Sequence, residues 1–114
     1  MEGLVLELRF FRTAAGNEPV REWLKALGRP QMRVIGEDAL RVQRNWPISR
    51  PLVDGLGGGL HELRSTVAKK EYRVFFYIND SVMVLLHGYR KQTQKAPADE
   101  VALARKRMKE DNDG

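Results

Sequence analysis

The sequence predicts an α+β fold, a small and mostly antiparallel sheet with helices packed on one of its faces, in the order β-α-α-β-β-β-α. Three observations carry this expectation. Apolar and polar residues alternate near the N-terminus, where Leu4, Leu6, Leu8 and Phe10 interleave with Val5, Glu7 and Arg9. Apolar residues then recur at helical spacing from Val20 to Trp46. Three strand-like runs follow between Leu60 and Gly88, and a last helix is signalled after Pro97. At 114 residues the chain is expected to form one domain, 1–114.

The elements are justified in order. Residues Leu4 to Phe10 have the period of a strand with one face on the core. Asn17 and Pro19 supply helix-start chemistry, and Val20, Trp23, Leu24 and Leu27 share one helical face that Gly28 terminates. Pro30 opens a second helix whose stripe is Ile35, Ala39, Val42 and Trp46, with Gly36 a modest weakness. From Trp46 to Gly59 two prolines and four glycines predict a loop. The strands expected next are Leu60–Thr66, Tyr72–Ile78 and Ser81–Gly88, the last two joined by a hairpin turn at Asn79-Asp80. The final helix has Asp99 and Glu100 in its first turn and Arg105, Lys106 and Arg107 later, matching the helix dipole, and residues 111–114 are expected to fray.

Composition narrows the function. Cysteine is absent and His61 and His87 are the only histidines, neither with a carboxylate at ligand spacing, so no metal site and no cofactor are expected. The N-terminus has neither the basic leader nor the cleavage site of a signal peptide, and no apolar run approaches the length of a membrane span, which points to the cytoplasm and to no membrane partner. Twenty Lys and Arg against fifteen Asp and Glu give a net charge of +5, a balance that suits a polyanion.

Two clusters hold the candidate chemistry. The first is Gly59-Leu60-His61-Glu62-Leu63-Arg64 with Lys69, Lys70 and Arg73. Glu62 and Arg64 share a strand face, where the ordinary alternative is a salt bridge on a solvated sheet. Arg73 lies inside the apolar run Tyr72 to Tyr77 and needs a partner there. The second cluster, His87-Gly88-Tyr89-Arg90-Lys91-Gln92-Thr93-Gln94-Lys95, is basic, aromatic and free of acids, a mix suited to a phosphate backbone and a stacked base. Its ordinary alternative is a charged connector to the last helix. No nucleotide-binding glycine loop precedes a helix, since Gly57-Gly58-Gly59 precedes a strand.

These residues resemble the HigB-like branch of the RelE/ParE toxin superfamily and its phage-derived group. The resemblance covers most of the chain and rests on Pro19-Val20 with Trp23-Leu24, on Gly59 to Arg64 (GLHELR), on Tyr72-Arg73-Val74 and on Leu85 to Pro97 (LLHGYRKQTQKAP). It implies the toxin of a toxin–antitoxin system, an endoribonuclease that cuts mRNA in the ribosomal A site by attack of the RNA's own 2′-hydroxyl, without metal. It also implies a cognate antitoxin, in a toxin–antitoxin hetero-oligomer. The implied catalytic set is Arg64, Arg73, Tyr89, Lys91 and Lys95, with Arg73 on the phosphate and Lys91 near the leaving group. His61, Lys69, Lys70, His87 and Arg90 are the expected RNA contacts. The lysine pair that several RelE relatives carry on the strand before the hairpin is replaced by His61, Glu62 and Arg64, which leaves the general base open among His61, His87, Glu62 and Lys95. Superfamily members also include ParE-like gyrase inhibitors that cut no RNA, and an inactive phage-derived binding module is a third reading.

Overall fold

A computed structural model describes residues 3–93 and 97–114. The chain folds in the order β1 (Glu7–Phe10), α1 (Pro19–Leu27), α2 (Arg29–Asn45), β2 (Val53–Gly57), β3 (Leu60–Val67), β4 (Lys70–Asn79), β5 (Val82–Lys91) and α3 (Ala98–Asp113). The five strands form one mixed sheet in the spatial order β1-β5-β4-β3-β2, parallel between β1 and β5 and antiparallel elsewhere. The α+β class therefore holds, with one strand more than expected.

The extra strand is β2, inside the stretch expected to be a loop. Its glycines hide it from a propensity reading, but Val53 to Gly57 pair with Leu63 to Leu60, and Leu52 and Val53 are buried. The three antiparallel connections are each two residues long. Gly58-Gly59 and Ala68-Lys69 turn at positive φ, as twisted hairpins require, and the last turn is Asp80-Ser81, one residue later than expected.

The placement of the helices corrects the expectation of a single covered face. α1 and α2 bury Val20, Leu24, Ile35, Ala39 and Val42 against Leu63, Tyr72, Val74, Phe76, Met83 and Leu85. α3 crosses the opposite face, where Ala104, Val101 and Met108 meet Phe75, Tyr77, Val84 and Leu86. β4 is consequently covered on both sides, which is why Tyr72 to Tyr77 reads as a continuous apolar run interrupted by one arginine.

The C-terminal end expected to fray is tied down. Arg9 donates two hydrogen bonds of 2.9 Å to the Asp111 carboxylate, and the Tyr77 hydroxyl donates to the same group. Arg105 adds bonds to the carbonyls of Leu56 and Gly57, and Arg107 one to that of Leu86. Ala104 is the only fully buried side chain of α3 among the described residues, so these polar contacts fix the helix where apolar burial is slight.

The pairing of β4 with β5 contains an irregularity that positions the site. Phe75 lies opposite His87 but Phe76 lies opposite Leu85, so Leu86 is an extra residue in β5. Such a bulge shifts the alternation of side chains beyond it. Val84 and Leu86 face α3, and past the bulge His87, Tyr89 and Lys91 keep to that side, with Gly88 and Arg90 on the other.

Candidate functional site

Cross-strand pairing brings three of the expected catalytic residues into one row. Arg64 of β3 lies opposite Arg73 of β4, which lies opposite Tyr89 of β5, all on the α3 face of the sheet. The next row outward is Thr66, Glu71 and Lys91, and the next row inward is Glu62, Phe75 and His87. α3 covers the inward end, leaving the outward end open. There a cleft of about 490 Å³ is lined by Arg64, Glu71, Arg73, Lys91, Gln92 and Thr93.

Arg73 is 3% exposed and is held by acids on both sides. Its Nη1 donates to Glu71 Oε1 at 3.1 Å and to the Tyr72 carbonyl at 3.2 Å, while Nε lies 3.9 Å from Glu62 Oε1. Nη2 has no hydrogen-bond partner among the described residues. Burial pushes the Glu62 carboxyl above the usual range, against the pull of Arg73 and Arg64. Glu71 is shifted the other way, first by the hydrogen bond from the Thr66 hydroxyl at 2.9 Å and then by that from Arg73. Arg64 has no carboxylate at ion-pair distance among the described residues, although its field reaches Asp54, Glu62 and Glu71.

Tyr89 is 7% exposed and stacks between Phe75 and His87, with ring centroids 5.7 and 6.2 Å away. Its hydroxyl is buried and has no hydrogen-bond partner among the described residues. Burial, reinforced by the Glu62 carboxylate, raises its pKa and keeps the phenol protonated. A buried phenol with an unused donor beside two guanidinium groups can orient toward an anion or yield its proton to a leaving oxygen.

The remaining expected residues divide. His87 shares the site face but lies beneath α3, with Nε2 against Glu100 and Nδ1 3.4 Å from Arg107, and does not line the cleft. His61 projects from the opposite face and packs between Trp46 and Phe76, where burial lowers its pKa. Arg90 lies opposite Tyr72 on that same far side. Lys69 is in the β3–β4 turn, and Lys70 begins β4 out of phase with Arg73. The geometry therefore separates His61, Arg90 and Lys70 from Arg73. Lys95 lies outside the described residues.

Sequence reasoning missed Glu71, which stands two residues before Arg73 on a strand and so shares its face. Gln92 and Thr93, which the second cluster included without an individual role, also line the cleft. Among the described residues no group of three or more His, Cys, Asp or Glu side chains is arranged to hold a metal ion, and no helix is long and apolar enough to cross a membrane.

A search of curated proteins returned no match to this chain. A family model does match, over residues 22–109, which takes in α2, the whole β2–β5 sheet with the Arg64–Arg73–Tyr89 row, and most of α3. On that match, the chain belongs to the Phage derived protein Gp49-like (DUF891) family, a family of RelE/ParE-like toxins commonly found in toxin–antitoxin systems.

Proposed function

We propose that the protein is the toxin of a toxin–antitoxin pair and, within the family, a HigB-like endoribonuclease that cleaves mRNA in the ribosomal A site without a metal ion. The observation that carries this reading is the buried Arg73, flanked by Arg64 and Tyr89 and opening with Lys91 into a polar cleft at the end of the sheet face that α3 leaves uncovered. In this reaction the RNA 2′-hydroxyl gives up its proton to a base as its oxygen attacks the adjacent phosphorus, the bond to the 5′-oxygen breaks to leave a 2′,3′-cyclic phosphate, and the 5′-oxygen takes a proton. Arg73, with Nη2 directed to a phosphate oxygen, and Arg64 neutralise the charge that builds on phosphorus. Lys91, half-buried at the rim, and the Tyr89 hydroxyl serve the leaving oxygen. Of the two carboxylates beside Arg73, Glu71 is the closer and lines the cleft, 3.1 Å from Nη1, and Glu62 lies buried 3.9 Å from Nε with a raised pKa.

His61 is not part of this assignment, and His87 is held with Glu100 beneath α3. With no free imidazole in the cleft, the reaction depends on the ribosome to position the scissile phosphate. The partners are a cognate antitoxin, bound in a hetero-oligomer, and mRNA on the ribosome. The whole chain, 1–114, acts as one cytoplasmic domain.

The pairing of Arg73 with two carboxylates favours a second reading, a ParE-like inhibitor that docks on gyrase and cuts nothing. Brief induction in cells, with mRNA 5′ ends mapped beside plasmid supercoiling, separates the two. New 5′ ends phased with codons support the ribonuclease. Relaxed plasmid with unchanged mRNA ends supports the inhibitor and overturns the first reading.

A further inference from the structure

The cleft at Arg73 does not end at Arg64. A second cavity of about 310 Å³ shares Arg64 and Glu71 with it and continues to Thr66, to Pro51 and Leu52 before β2, and to Asp38 and Arg41 of α2. This opening exists because β2 pairs with β3 only from Val53 opposite Leu63 onward. The Arg64 amide donates to the Leu52 carbonyl at 2.8 Å, and beyond that bond Ser65 to Val67 have β4 on one side and no strand on the other. The groove therefore passes from the α3 face, around the open edge of β3, onto the flank of α2.

We propose that this second cavity is a nucleotide subsite, holding the next nucleotide of the same single strand beyond the two that flank the scissile phosphate, with Arg41 as its phosphate contact. The inference rests on the ribonuclease reading of the cleft and extends it. Pro51 and Leu52 supply an apolar wall on which a base lies, and Thr66 and Asp38 supply polar edges. Asp38 is fixed by a 2.7 Å hydrogen bond from the Ser65 hydroxyl, so its position is set by the core and not by solvent. Arg41 is 63% exposed and only loosely paired with Asp38 at 3.6 Å, a contact a phosphate displaces at little cost. Arg64, common to both cavities, then bridges successive phosphates, which gives it a reason to stand with no carboxylate at ion-pair distance among the described residues.

The test uses the full chain at low ionic strength with 2′-O-methyl oligonucleotides, which lack the attacking hydroxyl and report binding alone. Amide signals of Arg64, Arg73 and Lys91 shift with a dinucleotide, whereas those of Arg41, Leu52 and Thr66 shift only with a pentanucleotide. Arg41→Ala weakens pentanucleotide binding roughly tenfold, as expected for one charge-assisted contact, and lowers its salt slope by about 0.7. It leaves dinucleotide affinity and Tm unchanged, and Arg41→Lys recovers most of the loss. Unshifted Arg41, Leu52 and Thr66 signals, or an Arg41→Ala loss equal for both lengths, overturn the subsite and leave the cleavage reading standing. Failure of the wild-type chain to bind either length overturns the subsite together with the cleft as an RNA site.

Discussion

Glu71 Oε1 accepts a 3.1 Å hydrogen bond from Nη1 of Arg73, two residues along the same strand face, so a carboxylate occupies the mouth of the cleft beside the buried guanidinium. The Glu71 side chain is 45% exposed while that of Arg73 is 3% exposed. A phosphate approaching Arg73 from solvent thus meets a resident anion first. The Glu71 end of the pair is open to solvent and screened, and a glutamine amide oxygen in its place still accepts from Nη1 of Arg73. Glu71→Gln is therefore expected to leave Tm nearly unchanged and to raise affinity for a 2′-O-methyl RNA on the order of tenfold, the equivalent of about 1.4 kcal/mol. Weaker binding by Glu71→Gln would mean that the carboxylate orients Arg73 for RNA instead of competing with it.

Arg73 itself carries two roles that must be separated. Its removal takes a phosphate-stabilising donor from the cleft, a loss on the order of a hundredfold or more in ribosomal cleavage. It also leaves the buried Glu62 without its nearest cation, with Arg64 remaining at longer range, a change that costs up to about 3–5 kcal/mol in buried pairs. Arg73→Ala is thus expected to melt well below the wild type, and Arg73→Ala with Glu62→Gln to regain much of the Tm. Cleavage stays lost in the double variant, and Arg73→Lys restores part of it because lysine lacks the planar fork. Normal cleavage by a folded Arg73→Ala, Glu62→Gln chain on programmed ribosomes would remove Arg73 from the mechanism.

What was legible in the sequence follows from how locally each feature is encoded. The faces of α1 and α2 were readable because Val20, Leu24, Ile35, Ala39 and Val42 obey one helical period, and all five are buried. Arg73 was readable as a charge in an apolar strand. The common side of Arg73, Tyr89 and Lys91 was not, because it depends on the bulge at Leu86. Regular alternation from Val84 would have placed Gly88 and Arg90 on the α3 face instead. β2 was hidden because Gly55 and Gly57, half of its paired positions, carry no side-chain signal of a strand, and the anchoring of Asp111 because Arg9 lies 102 residues away in sequence.

His61 offers a pH test of its placement. Burial against Trp46 and Phe76 lowers its pKa below the ordinary histidine value, so the folded state prefers the neutral ring. The unfolded chain then binds the proton more readily, and stability rises with pH across the window between the two values. The stabilisation is present above the unfolded pKa of about 6.5 and is lost as pH falls below it toward the folded value. Melting curves between roughly pH 7 and pH 5 are expected to show Tm falling with pH. His61→Phe should flatten that fall while leaving cleavage intact. An unchanged pH slope in His61→Phe, or loss of cleavage at full stability, would return His61 to the functional residues.

Gly88 shows why a glycine stands in the middle of the basic, aromatic segment. It lies past the bulge, on the α1 side of β5, and a Cβ built there falls 2.4 Å from Cε3 and 2.5 Å from Cζ3 of Trp23. No real side chain tolerates such distances, so the indole ring occupies the volume that any other residue would need. Trp23 also meets Tyr72, with ring centroids 6.4 Å apart, which ties α1 to the strand that carries Arg73. Gly88→Ala must displace the ring and with it the helix, an overpacking that typically costs about 1–3 kcal/mol. The damage should be relieved by Trp23→Leu, which empties the contested space, so that the double variant melts above the Gly88→Ala single variant. If Gly88 instead served the RNA backbone through close approach, Gly88→Ala would lose cleavage and Trp23→Leu would restore none of it. Thermal melts and ribosomal cleavage measured on the two single variants and the double variant distinguish these outcomes, with recovery of Tm and of cleavage together expected from the packing seen between Trp23 and Gly88.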